Sequence, residues 1–124
     1  MGEILFKSES YKIIGACFSV HKNLGAGFLE SVYSEALELE FNKSDIPYAK
    51  EIRLPVYYDG MKMKKYFVAD FVCYESILLE LKATKFTAET DYQQTLNNLK
   101  ATQFKLGLLI NFGTPSLTYK RIVN

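Results

Sequence analysis

The sequence predicts an α/β domain in which a mixed β-sheet is flanked by helices. Two stretches with helical periodicity open the chain, and three strand-length runs rich in Val, Ile, Leu, Phe and Tyr follow them. A further helical stretch then separates the third run from a nearly all-apolar one, the spacing of a β-α-β crossover with parallel strands. The predicted order is α-α-β-β-β-α-β-β.

Each element has a local reason. Ser8 to about Leu24 reads as a helix, with Ile13, Cys17, Val20 and Leu24 on one stripe and Ile14, Phe18 and His21 beside it. Gly25-Ala26-Gly27 ends it. A second helix is expected from about Phe28 to Asn42, with Leu29, Val32, Ala36 and Leu39 facing inward, until Asp45-Ile46-Pro47 breaks the pattern. Strands are expected at about Lys50–Tyr58 and Lys62–Tyr74, joined by a turn at Asp59-Gly60, and then at Ile77–Ala83. The third helix covers about Ala88–Thr102, with Tyr92, Leu96, Leu99 and Gln103 on one face. Leu106–Asn111 reads as a central strand because it is almost entirely apolar. Gly113-Thr114-Pro115-Ser116 turns the chain into a last strand, Leu117–Val123.

The totals bound the function. The chain of 124 residues is expected to form one domain over 1–124, and 48% hydrophobic content supplies a core. Its 15 basic and 14 acidic residues give a net charge of +1, which is no general polyanion-binding composition. Cys17 and Cys73 lie in apolar contexts without metal or redox spacing, so buried reduced thiols are expected. No run approaches the roughly 18 apolar residues of a membrane span, and no signal-peptide pattern opens the sequence. The expectation is a soluble, cytoplasmic protein with no membrane partner.

The chemistry concentrates in Phe67-Val-Ala-Asp70-Phe-Val-Cys-Tyr74 and Ile77-Leu-Leu-Glu80-Leu-Lys82-Ala83. Charges inside apolar strands are costly unless paired or bound to a cation. A hairpin turn centred on Glu75 places Asp70 opposite Glu80 and Val72 opposite Leu78. Strand alternation then puts Asp70, Glu80 and Lys82 on one face. Opposed like charges, with Cβ atoms about 4.5–5.5 Å apart, destabilise a sheet. A hard cation held by carboxylate oxygens reverses that penalty, and Mg²⁺ so held also binds substrate phosphate oxygens. Lys82 would orient a water or neutralise developing charge. The same trio also fits a salt-bridged cluster at the sheet rim.

Other candidates have plainer readings beside them. Glu30 opens the second helix, where the helix dipole favours a carboxylate in any case; Tyr33 neighbours it one turn on. His21, the only histidine, fits a packed, hydrogen-bonded residue, although the glycine turn could bring it near Glu30. Gln94 and Asn98 share a polar helical face that fits solvation. Gly25-x-Gly27 lacks the preceding strand of a dinucleotide fingerprint.

Taken together, these residues resemble a known family. Gly27-Phe-Leu-Glu30-Ser-Val-Tyr33 matches the motif that names the small bacterial GxxExxY proteins. Val20–Gly27, Leu99–Thr102 and Lys105–Gly113 are also similar to that family, and the likeness runs from about Lys12 to Val123. The family is placed in the PD-(D/E)XK nuclease superfamily, whose metal motif resembles Asp70 followed by Glu80-Leu81-Lys82 and whose restriction-endonuclease-like core has the order predicted above. The resemblance implies Asp70, Glu80 and the Leu81 carbonyl as metal ligands and Lys82 as the catalytic lysine. It implies Glu30 as the helical carboxylate completing the metal shell and Gln94 as the helical glutamine of the exonuclease-like branch. That branch usually carries tyrosine where this chain has Asn98, and the superfamily's leading proline-aspartate pair is Ala69-Asp70 here.

The expected function is a Mg²⁺- or Mn²⁺-dependent nuclease acting on nucleic acid, DNA in preference to RNA. Lys62, Lys64, Lys65, Lys85 and Lys100 are candidate phosphate contacts, although Lys65 and its neighbours also fit a solvated strand. With no separate recognition region, specificity is low or comes from a homodimer or a partner protein. The rival expectation is a catalytically inactive module of the same fold that binds nucleic acid or protein.

Overall fold

The computed structural model describes residues 4–124. Helices α1 (Lys7–Leu24) and α2 (Glu30–Lys43) precede strands β1 (Tyr48–Tyr58), β2 (Met61–Cys73) and β3 (Ile77–Lys82). Helix α3 (Glu89–Thr102) then leads to β4 (Leu106–Asn111) and β5 (Thr118–Val123). The five strands form one sheet in sequence order. All neighbours are antiparallel except β3 and β4, which run parallel across the α3 crossover. The mixed α/β architecture and the element order are those the sequence predicts.

Two cores sandwich the sheet. On one face Ile13, Cys17, Tyr33, Leu37 and Phe41 from α1 and α2 pack against Phe71, Leu79, Leu81, Leu108 and Phe112. On the other, Leu99 of α3 packs with Leu54, Val72, Leu78, Leu109 and Ile122. Leu99 lies so close to β4 that a Cβ at Gly107 would sit 3.1 Å from its Cδ2. Cys17 and Cys73 are free and buried, and burial pushes the Cys73 thiol up to about 12, so both behave as small apolar groups. Among the described residues no helix is long and apolar enough to cross a membrane.

The turns follow residue chemistry. Asp59 and Gly60 both have positive φ, 53° and 76°, and join paired Tyr58 and Met61 as a two-residue hairpin. Tyr74 and Glu75 repeat that backbone between β2 and β3, where the Ser76 N–H donates to the Cys73 carbonyl.

The inward face of α2 differs from the expected one. Tyr33, Leu37 and Phe41 are buried, whereas Leu29 and Leu39 are largely exposed, Val32 is exposed and Ala36 is only half-buried. The two stripes are about one position apart on the helix. The aromatic pair decides between them, since Tyr33 and Phe41 bring more apolar area to the core than the competing residues. Tyr33 stacks on Phe112 at 4.7 Å between centroids, and Phe41 meets Phe71 edge-on at 5.3 Å. Gln103 likewise caps α3 in a left-handed conformation with its side chain exposed, not on the packed face.

The candidate metal and phosphodiester site

The β2–β3 ladder has the expected register: Cys73 pairs with Ile77, Val72 with Leu78 and Phe71 with Leu79. There the pairing ends, and Asp70 and Glu80 are the next residues on each side. The strands part, and side chains fill the places of ladder hydrogen bonds. The Leu81 N–H donates to Asp70 Oδ2 at 2.8 Å, and the Asp70 N–H reaches Glu80 Oε2 at 3.4 Å.

The common face expected for Asp70, Glu80 and Lys82 is not what forms. Lys50 and Ile52, two residues apart on β1, turn opposite ways: Lys50 reaches Glu38 of α2, whereas Ile52 packs in the α3-side core. On β2, Phe71 belongs to the α1/α2 core and Ala69 to the α3 core. Both strands therefore change face at Glu51 and Asp70. Glu51 carries the left-handed backbone of this irregularity, with φ 53°, and no ladder pair joins it to Asp70. Asp70 consequently lines a hollow of about 420 Å³ with Glu51, Val68, Leu81 and the first turn of α2, through Glu30, Ser31 and Ser34. Lys82 points to α3, where its Nζ is 3.4 Å from Asp91 Oδ1. The charges thus meet across the opening between two strands.

Glu30 reaches this hollow because of the glycine turn before it. Gly25 and Gly27 have φ of 70° and 109°, a region that side-chain-bearing residues rarely occupy. The buried Tyr33 hydroxyl donates to the Gly25 carbonyl and accepts the Phe28 N–H at 3.2 Å. In Gly27-x-x-Glu30-x-x-Tyr33 the glycine thus makes the turn, the tyrosine pins it, and the glutamate opens the helix beside Asp70. His21 is structural: its Nε2 lies 2.9 Å from the Thr114 carbonyl oxygen, and its ring stacks on Phe112.

All three carboxyl groups are held above their ordinary range. Burial pushes Glu80 up to about 8, with the Asp70 charge adding to the effect. Burial also raises Asp70, against the Leu81 N–H and Lys82. Glu30 is raised by burial and then by the charge of Asp70. None of the three has an ion-pair partner among the described residues, since Lys82 is engaged by Asp91. Also among the described residues, no three His, Cys, Asp or Glu side chains form a group able to hold a metal ion by themselves. The expected donor set of two carboxylates and the Leu81 carbonyl is smaller and all oxygen. It fits Mg²⁺ or Mn²⁺, which favour oxygen donors; Mg²⁺ in particular retains several waters.

Of the other predicted residues, Gln94 is exposed on α3, one turn after Asp91. Lys62, Lys64 and Lys65 are exposed at the start of β2, Lys85 in the loop after β3 and Lys100 in the last turn of α3. The lysines are therefore spread over three elements. Glu51 and Asp91 escaped the sequence reading. The first stands in a strand whose irregularity leaves no mark on its apolar pattern. The second carried a signal, an acidic residue in the first turn of a helix following the Glu-x-Lys strand. Its Oδ2 accepts the Ala88 N–H at 3.0 Å and so caps α3 while Oδ1 engages Lys82.

A family model described as the PD-(D/E)XK nuclease superfamily matches residues 7–122. No curated protein and no solved structure matches significantly.

Proposed function

Because the chain belongs to the PD-(D/E)XK nuclease superfamily, we propose that it hydrolyses nucleic-acid phosphodiester bonds with Mg²⁺ or Mn²⁺, DNA in preference to RNA. The observation that carries this reading is the placement of Asp70 and Glu80, both largely buried and, among the described residues, without an ion-pair partner, where β2 and β3 part beside Glu30. The Gly27–Tyr33 segment supports a place in the GxxExxY group, with residues 1–124 working as one nuclease domain.

Asp70, Glu80 and the Leu81 carbonyl would hold the cation, and Glu30, beside Asp70 in the hollow, would act on it through a bound water. A bound divalent cation there lowers the pKa of a water and offsets negative charge on the scissile phosphate. Lys82 places a positive charge beside the same phosphate as charge develops on its oxygens. Asp91 holds the Lys82 ammonium in reserve near that position. From the protein side the Leu81 N–H holds the Asp70 carboxylate and the Asp70 N–H approaches that of Glu80.

Purified protein incubated with single- and double-stranded DNA and RNA in Mg²⁺ or Mn²⁺ tests the reading. The wild type is expected to cut, with DNA the better substrate. Asp70→Asn and Lys82→Ala are each expected to lose roughly 100-fold or more in rate. Cleavage undiminished in Asp70→Asn sinks the site assignment. The net charge of +1 favours one rival, an inactive module that binds nucleic acid or protein. Wild type as inert as both variants across the panel supports that rival.

A further inference from the structure

One arginine is left over by the packing, and it stands beside the hollow that Asp70 lines. Arg53 and Arg121 are the arginines of the chain. Arg121 is bound inward, donating to the Ser10 hydroxyl at 2.8 Å and to the Leu5 carbonyl at 2.7 Å. Arg53 of β1 is exposed and has no ion-pair partner among the described residues. Lys50, three residues before it, is taken by Glu38.

The β1–β2 ladder turns Arg53 to the side of the hollow. Ile52, Leu54, Phe67 and Ala69 pack in the α3-side core, so the residues between them face the other way. There Arg53 pairs with Val68, which lines the hollow with Glu30, Glu51 and Asp70. Directly opposed side chains have Cβ atoms about 4.5–5.5 Å apart. Asp70 follows Val68 by two residues, about 7 Å along a strand. That is about two nucleotides at a rise of 3.4 Å.

The side chain is held in advance. The Arg53 guanidinium carbon lies 4.7 Å from the centroid of the Tyr66 ring. Tyr66 is the diagonal neighbour of Arg53 in the ladder, and Pro55, directly opposite Tyr66, has no long side chain to compete for the ring face. Stacking fixes the guanidinium plane and leaves its N–H edge free, the edge that grips a phosphate with two parallel hydrogen bonds. The hollow needs such a group. Glu30, Glu51 and Asp70 repel a polyanion, and Lys82 is engaged by Asp91. A divalent cation at Asp70 would answer that repulsion at the scissile phosphate and leave its neighbours without a counter-charge.

We propose that Arg53, braced by Tyr66, binds a phosphate of the substrate strand within about two nucleotides of the scissile one. The scissile phosphate lies at Asp70 and Glu80, and the strand then runs past Val68 to the guanidinium. Arg53 thus fixes which bond of a polymer meets the cation, as a positioning contact outside the reacting atoms. The inference rests on the nuclease reading and deepens it. It assigns the site a polynucleotide, with a phosphate beside the one that is cut, in preference to an isolated phosphodiester.

Fluorescence anisotropy in EDTA, where nothing is cut, reads the binding of labelled single- and double-stranded DNA against salt. Arg53→Ala is expected to weaken binding about 5-fold. It should also lower the salt slope by about 0.9 for a duplex or about 0.7 for a single strand, one phosphate contact. Arg53→Lys is expected to keep the slope and lose part of the affinity, and Tyr66→Ala to keep the slope and lose about 2-fold. With Mg²⁺, hydrolysis of the same DNA is compared with that of bis-p-nitrophenyl phosphate, a diester without a neighbouring phosphate. The preference for DNA over the small diester is expected to fall about 5-fold in Arg53→Ala, through KM. An unchanged salt slope in Arg53→Ala overturns the proposal, as does an equal loss on both substrates. A wild type that binds no DNA also overturns it. A slope lowered in Arg53→Ala, beside a wild type that cuts neither substrate, keeps the phosphate contact and rejects the nuclease reading.

Discussion

From Cys73–Ile77 to Phe71–Leu79 the β2–β3 hairpin is a dry ladder, its residues no more than 5% exposed and divided between the two cores. One residue further on, Asp70 and Glu80 flank an opening, bonded to backbone N–H groups and, among the described residues, to no cationic side chain. The two ends belong to the same strands and differ in what replaces the ladder. At the turn end, pairing and apolar burial add to each other. At the open end the backbone forgoes a regular pairing, and burial raises the energy of every charge placed there. Stability therefore resides at one end and proposed reactivity at the other.

Leu79→Ala strikes the dry end and should have the largest effect on the fold, a loss of about 2–5 kcal/mol measured by urea denaturation. Cleavage per folded molecule should survive at low temperature. A variant that stays folded but loses cleavage would show that the two ends are not separable.

The open end should reveal itself through pH. The Glu80 carboxyl is raised from about 4.5 in the unfolded chain to about 8 in the folded one, and Asp70 and Glu30 shift the same way. The folded state thus binds protons more tightly, so its contribution is full below about pH 4.5 and is lost as pH rises toward 8. Metal-free protein should lose several degrees of melting temperature between pH 5 and pH 8. Mg²⁺ should restore them at pH 8, and Glu80→Gln should flatten the slope. A melting temperature in EDTA that rises over that interval contradicts the buried, unpaired charges.

The smallest expected effect belongs to Tyr33→Phe, which keeps the stacked ring and removes the hydroxyl that pins the glycine turn. About 1–2 kcal/mol should be lost, with a drop of a few-fold in cleavage as Glu30 loosens. Calorimetry and single-turnover rates would read the two separately. An unchanged rate would place Glu30 outside the reaction.

The order of elements was legible because each obeys a local rule: helical period in α1, Asp59-Gly60 at a tight hairpin, and an apolar Leu106–Asn111 between neighbours. The register of β2 on β3 was legible from the turn. The orientation of Asp70 was not. Phe67-Val-Ala-Asp70-Phe-Val-Cys73 is apolar on both sides of the aspartate, and such a run looks the same whichever way it faces. The α2 face was misjudged for a related reason, since two apolar stripes compete there and packing against Phe112 and Phe71 selects the aromatic one. Asp91 carried the signal of an acidic residue opening a helix, but its pairing with Lys82 depends on α3 packing beside the end of β3, a tertiary fact.

The change of face at Glu51 and Asp70 has an arithmetic consequence. Side-chain direction along a strand has parity, and one added residue inverts it. Here each strand carries one inversion at the same level, so the two cancel and the partners stay matched. Deleting Glu51 and Asp70 together would leave regular alternation over the Tyr48–Leu54 and Phe67–Cys73 part of the ladder and would deliver Ile52, Leu54, Phe67 and Ala69 to the faces they already occupy. From the standpoint of the core, these two acidic residues are spare letters in the sequence. Folding alone gives no reason for them, and a search for what the protein does should begin where its own packing has no use for the residues present.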